Sequence, residues 1–240
     1  MLPRISYPIY ELKLPSDGRT IKVRPFLVKE EKLLLMAVES NDENEIINTT
    51  KQIINNCIVE GKINVDTLPF FDIDYLFIAL RAKSVGESIE VKFTCNNIVD
   101  SVKCGNIFLA NIDISNCGVV TDPTVTNPIT LGNNMTIKMK YPNYATMKNI
   151  LSKDNVLNKK VNIIVESIEY IQNGENLYTL KDMTKEELKE FVEGLTQNQF
   201  KLVEKFVDNF PYFVVLAEAK CNKCGFWHKL QYKEFTSFFG

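Results

Sequence analysis

The chain has 240 residues, 45% of them hydrophobic, enough to bury a sizeable core in one large domain or two small lobes. Lys and Arg number 28 against 30 Asp and Glu, a formal charge of −2 with the signs interspersed, which argues against a general nucleic-acid binder with its basic stripe. No run approaches the roughly 20 apolar residues that span a bilayer, and the opening MLPRISYPIY lacks the basic-then-apolar layout of a signal peptide, so the expected setting is a cytoplasm, away from membranes.

In chain order, ISYPIYELKLPSDGRTIKVRPF predicts a β-hairpin turning at Asp17-Gly18, with Pro25 ending it. LVKEEKLLLMAVES predicts a helix with a broad apolar face. DENEIINTTKQIINNCI predicts a second, opening on Asp42 and placing Ile46, Ile47, Ile53, Ile54, Cys57 and Ile58 on one stripe, where Cys57 is a small buried apolar residue. A third, FFDIDYLFIALRAKSVG, stops at Gly86 and carries Asp72 and Asp74 near its start, where carboxylates favour exposed N–H groups. An acid–base pair needs companions that nothing nearby supplies.

ESIEVKFT alternates as a strand leading to Cys95, and CGNIFLANIDI gives Cys104 strand character. Residues 116–134 are polar and rich in Gly and Pro, predicting loops, a short hairpin at most, and a boundary between lobes. NMTIKMKYP reads as a strand, and Tyr144 to about Ile171 as mostly helical, with VNIIVESIEYI its clearest part and NGEN a turn. Thr184-x-x-Glu187 and Thr196-x-x-Gln199 form capping boxes ahead of two amphipathic helices, an αα-hairpin joined at Gly194 to Thr196 and stopped by Pro211. YFVVLAEAK is a strand running into Cys221. The fold class is α+β: an N-terminal β-hairpin, helical segments including a C-terminal αα-hairpin, and short antiparallel strands carrying a zinc-ribbon-like pair of knuckles. The domain expectation is an N-terminal lobe over 1–115, a connector over 116–134 and a C-terminal lobe over 135–240, the lobes forming one zinc-clamped domain if the metal site closes.

Six cysteines without a secretion signal do not suggest a disulfide framework, so metal, burial or catalysis must explain them. Cys221-x-x-Cys224 followed by Gly225 is half of a zinc site: two spacer residues close a loop whose N–H groups face the sulfurs, and the glycine suits the sharp exit. A redox pair needs a helix after the first thiol, whereas GFWHKLQYKEF continues as an alternating strand. Structural zinc takes four ligands, and the other spaced pair is Cys95 and Cys104, a C-x8-C also followed by glycine, which reads as a widened knuckle. The predicted metal ligands are therefore Cys95, Cys104, Cys221 and Cys224, holding a structural Zn2+. His228 or Cys117 is the substitute for one of them, and an imidazole beyond the knuckle turn is otherwise expected to face solvent. Lys92, Lys103, Lys220, Lys223 and Lys229 lie near the ligands in sequence and would offset the thiolate charge, although lysines are equally common on any strand.

Phosphate-loop, dinucleotide and zinc-protease motifs are lacking, and a histidine-assisted nucleophile has His228 alone to draw on, so no enzyme is expected. YKEFTSFFG presents Phe235, Phe238 and Phe239 either as a short partner-docking element or as the last part of the core.

YPIYELKLPS, RPFLVKEEKLLLMA, KQIINNCI, DIDYLFIALRAKSVGE, GLTQNQFKLVEKFVDNFP and CNKCG, with a terminal FF, span most of the chain in order. In these stretches it resembles the T4-type phage baseplate hub assembly proteins, the family described as T4 bacteriophage base plate protein. The resemblance implies a non-enzymatic tail assembly factor, a chaperone for baseplate hub or tape-measure proteins in the host cytoplasm, or a hub subunit retained in the virion.

Overall fold

The computed structural model describes residues 6–151 and 156–238. Contacts divide the chain into two units, one of Met1–Asp66, Phe71–Val120 and Tyr212–Gly240, the other of Thr67–Phe70 and Thr121–Pro211. Residues 212–238, grouped by the sequence reading with a C-terminal lobe, pack with the first unit.

In the first unit β1 (Tyr10–Lys13) and β2 (Thr20–Val23) form the expected hairpin, Tyr10 opposite Val23, with Gly18 at φ 74° in the turn. Helix α1 (Val28–Ser40) and α2 (Glu43–Cys57) follow, and a strand that the sequence did not announce, β3 (Ile58–Glu60), joins β2. The Asp42 carboxylate accepts the Asn44 N–H at 2.8 Å and starts α2, whose buried stripe is Thr50, Ile53, Ile54 and Cys57. Arg24 fastens this region: its guanidinium reaches the fully buried Glu30 at 3.0 Å and the Asn56 carbonyl at 2.9 Å, while Glu30 also accepts the Leu27 N–H at 2.8 Å. The broad apolar face predicted for α1 is not buried. Its buried residues are Glu30 and Ala37, while Val28, Leu33, Leu35 and Met36 are exposed.

A short 3-10 turn at Val65–Thr67 leads to α3 (Phe70–Ser84), apolar on nearly every side because Phe71, Ile73, Leu76, Phe77, Ile78 and Leu80 are all buried. Asp72 in its first turn is buried too, and it accepts the Ser16 N–H at 3.0 Å and the Ser16 hydroxyl, so it tethers the β1–β2 loop. The strands β4 (Ser88–Thr94) and β7 (Ile107–Asp113) pair along their length, flanking a ribbon of β5 (Ile98–Val99) and β6 (Val102–Lys103). After β8 (Gly118–Val120) the chain leaves the first unit.

In the second unit β9 (Ile129–Gly132) and β10 (Met135–Met139) are followed by α4 (Tyr144–Leu151) and α5 (Val156–Ser167). The helical reading of VNIIVESIEYI fails at its end: α5 stops at Ser167, and β11 (Ile168–Asn173) pairs with β10 and with β12 (Asn176–Thr179). Ile168 and Ile171 are buried while Glu169 is exposed, and the Lys140 N–H bonds the Ser167 carbonyl at 2.7 Å, so the neighbouring strand overrides the helical run. The order is β12-β11-β10-β9. Against it lie α6 (Lys185–Glu193) and α7 (Gln197–Asp208), the predicted αα-hairpin, each opened by its capping box. Ile137, Ile164, Val192, Val203 and Phe206 fill the core, with Tyr141 stacked 5.2 Å from Phe206.

The chain returns through β13 (Tyr212–Lys220), which pairs with β8 on one side and with β14 (Trp227–Tyr232) on the other. Of the three C-terminal phenylalanines, Phe235 is fully buried 5.2 Å from the Phe77 ring, Phe238 is half-buried 4.9 Å from Tyr232, and Phe239 lies outside the described residues.

Candidate metal centre

Strands deliver all four predicted sulfurs. Cys95 follows β4, Cys104 follows β6, Cys221 follows β13, and Cys224 ends the turn before β14. The second knuckle closes with the Cys221 N–H on the Phe226 carbonyl at 2.9 Å and the Gly225 N–H on the Cys221 carbonyl at 2.9 Å, Gly225 standing at φ 74°. The first repeats this: the Cys95 N–H bonds the Asn106 carbonyl at 2.8 Å and the Gly105 N–H bonds the Cys95 carbonyl at 3.0 Å, with Gly105 at φ 62°. Both glycines occupy left-handed backbone that a side chain would strain.

The eight-residue spacer is therefore a C-x-x-C turn with a hairpin set into it. The Cys104 N–H bonds the Asn97 carbonyl at 2.8 Å, which pinches off 98–103, and Ile98 pairs with Lys103 across a turn at Asp100 and Ser101. Without those residues CNN joins CGN, closely matching CNKCGF.

The four sulfurs lie within 4.8 Å of one another, Cys95 to Cys224 at 3.6 Å and Cys104 to Cys221 at 4.0 Å. A tetrahedron of thiolates at a Zn–S distance of about 2.3 Å has edges of about 3.8 Å, so the donor set fits such an ion, whereas a disulfide needs about 2.05 Å. Among the described residues this is the one cluster of its kind, and Cys57 and Cys117 are outside it. Burial raises each of those two thiols to about 11, as suits structural cysteines.

Around the sulfurs stand side-chain nitrogens, of which those of Asn97 and Asn106 were not marked by the sequence. Asn97 Nδ2 donates to Cys224 Sγ at 3.7 Å and Asn106 Nδ2 to Cys221 Sγ at 3.5 Å, while His228 Nε2 is 3.2 Å from Cys95 Sγ. The expectation that His228 faces solvent is overturned: it is 5% exposed, with Phe93 and Phe226 each 4.9 Å from its ring. Alternation along β14 was the available signal, since Trp227 and Lys229 point outward and so turn His228 inward. The five lysines near the ligands in sequence are all exposed.

Without an ion the thiols are unequal. Burial opposes charge on Cys221, but the N–H groups of Cys224 and Lys223 and the Asn106 amide outweigh it and draw the thiol down to about 6. The Phe226 N–H likewise lowers Cys224, whereas burial pushes Cys95 up to about 12. A cation here finds thiolate first at the second knuckle, and the proton it must displace is the one held by Cys95.

A family model described as T4 bacteriophage base plate protein matches residues 7–240. The chain belongs to that family. No curated protein and no solved structure matches it significantly. The four-cysteine cluster of this baseplate protein thus lies wholly inside the matched region, in its first unit. None of the described helices is long and apolar enough to cross a membrane.

Proposed function

We propose that this baseplate protein is a non-enzymatic assembly factor, a chaperone for the baseplate hub, which works by protein–protein binding on a scaffold held by one structural Zn2+. The observation that carries the metal reading is the spacing of the four sulfurs near the edge of a zinc–thiolate tetrahedron. Cys95, Cys104, Cys221 and Cys224 supply the thiolates, Asn97, Asn106 and His228 spread their negative charge through N–H donation, and four sulfurs leave no coordination position for a reacting water. In this reading the ion ties the chain before Val120 to the chain after Tyr212, which makes a clamp and not a reaction centre.

The expected partners are hub or tape-measure proteins in the host cytoplasm during tail assembly. With Phe235 committed to the core, docking by the C-terminal segment falls to Phe238 and its neighbour Phe239. The second reading, a hub subunit retained in the mature baseplate, draws support from exposed large apolar residues such as Leu35, Met36, Leu109, Leu216 and Trp227, which suit a lasting interface. Mass spectrometry of purified virions separates the readings: stoichiometric copies reject the chaperone, and absence rejects the subunit. X-ray absorption of the purified protein tests the ion, and a zinc with fewer than four sulfurs in its first shell overturns the clamp.

A further inference from the structure

Helix α1 turns Ala37 inward and leaves a second set of apolar residues outside. Val28, Leu35 and Met36 are 68%, 56% and 66% exposed, and Lys32 and Glu39 are exposed beside them. Positions 28, 32, 35, 36 and 39 follow the i, i+4, i+7, i+8, i+11 spacing of one helical stripe. Within that stripe Leu35 and Met36 are central, with Lys32 three residues before the pair and Glu39 three residues after it. Among the described residues neither charge enters an ion pair.

We propose that this stripe is a docking face for a second copy of the chain, two α1 helices packing antiparallel about a two-fold axis between Leu35 and Met36. That operation sets Lys32 of each copy opposite Glu39 of the other and buries Leu35 and Met36 at the centre, with Val28 extending the apolar strip at both ends. A two-fold interface requires one patch to complement itself, and a lysine and a glutamate equidistant from an apolar centre do so. A parallel arrangement would place Lys32 against Lys32. The charges thus select both the partner and its direction. A 13-residue helix is about 20 Å long, and its stripe covers less than the roughly 800 Å² per partner of a standard stable interface, so the dimer is concentration-dependent.

Analytical ultracentrifugation of the full, metal-replete chain over a concentration series tests this. The wild type self-associates to a dimer, and Leu35→Glu, an exposed change checked by circular dichroism, is monomeric throughout. Lys32→Glu weakens association by roughly tenfold, because two symmetry-related pairs become repulsive at once. The double reversal Lys32→Glu with Glu39→Lys restores it, since each copy then carries both halves of the swapped pair. A wild type that stays monomeric, a dimer that survives Leu35→Glu, or a double reversal as weak as the single one overturns the proposal. A monomer would assign the face to a different protein.

Discussion

Deleting residues 98–103 should leave the metal centre in place. The excision joins Asn97 to Cys104, which already meet through a 2.8 Å backbone hydrogen bond, and converts the first knuckle into a near copy of the second. Cutting the spacer from eight residues to two halves its length twice, and at about 0.6 kcal/mol per doubling the shorter loop costs roughly 1.2 kcal/mol less to close. Losing the β5–β6 ribbon forfeits the exposed Ile98–Lys103 and Val99–Val102 pairing, a net loss of about 1 kcal/mol. These nearly cancel, so the variant should bind one metal ion per chain with an affinity within about tenfold of the parent. Metal analysis gives the stoichiometry, and competition with a chromogenic chelator gives the affinity. Ile98, Val99 and Val102 are all exposed, so their removal takes nothing from the core. A folded variant without metal would refute the inserted-hairpin account and make 98–103 part of the frame that aims the sulfurs.

Cys221→Ser should abolish zinc binding and lower the metal-dependent melting transition by roughly 6–12 °C, taking at least ~3 kcal/mol for a lost thiolate; unchanged zinc content and melting would remove the site. His228→Phe keeps the ring packing but deletes the ring nitrogen 3.2 Å from Cys95 Sγ, and should speed metal loss to a chelator by roughly tenfold, with His228→Gln recovering part of it. Co2+-substituted protein should show a shifted sulfur charge-transfer band in the Phe variant, and an unshifted band with unchanged metal loss would leave the histidine a packing role alone. Burial raises Asp72 to about 6 despite its bonds from Ser16, with Asp17 adding to the rise and Arg19 opposing it. The folded state then holds this proton more tightly than the unfolded one, so its contribution is full below about pH 4 and is lost as pH climbs through about 6, on the order of 3 kcal/mol. Denaturation across that window should lose this slope in Asp72→Asn, and an identical slope in both proteins would place the titration elsewhere.

Local signals carried the reading furthest. Asp42 and the boxes at Thr184 and Thr196 start their helices where the sequence places them, because a cap is written within four residues. The cysteine quartet was legible for the same reason, since Gly105 and Gly225 mark equivalent exits from two turns. What the sequence hid depends on distant neighbours. Nothing within IEYI distinguishes a last helical turn from a strand until β10 lies beside it. Likewise, the apolar side of α1 looks like any core-facing helix, and its exposure emerges only once the first unit is assembled without using it.

Because β8 and β13 are paired, Val120 directly opposite Tyr212, the polypeptide makes a long excursion and comes back to the place it left. On the ribosome this imposes an order. Cys104 emerges 117 residues before Cys221, a delay of about 6–23 s at typical translation rates. During that interval residues 121–211, the larger part of the second unit, emerge, while the first unit lacks two strands and the cysteine cluster half of its thiols. A nascent chain interrupted anywhere in the excursion carries an unpaired knuckle, open to oxidation or stray metal. Completion of the first unit is therefore a late event, coupled to the arrival of the final strands.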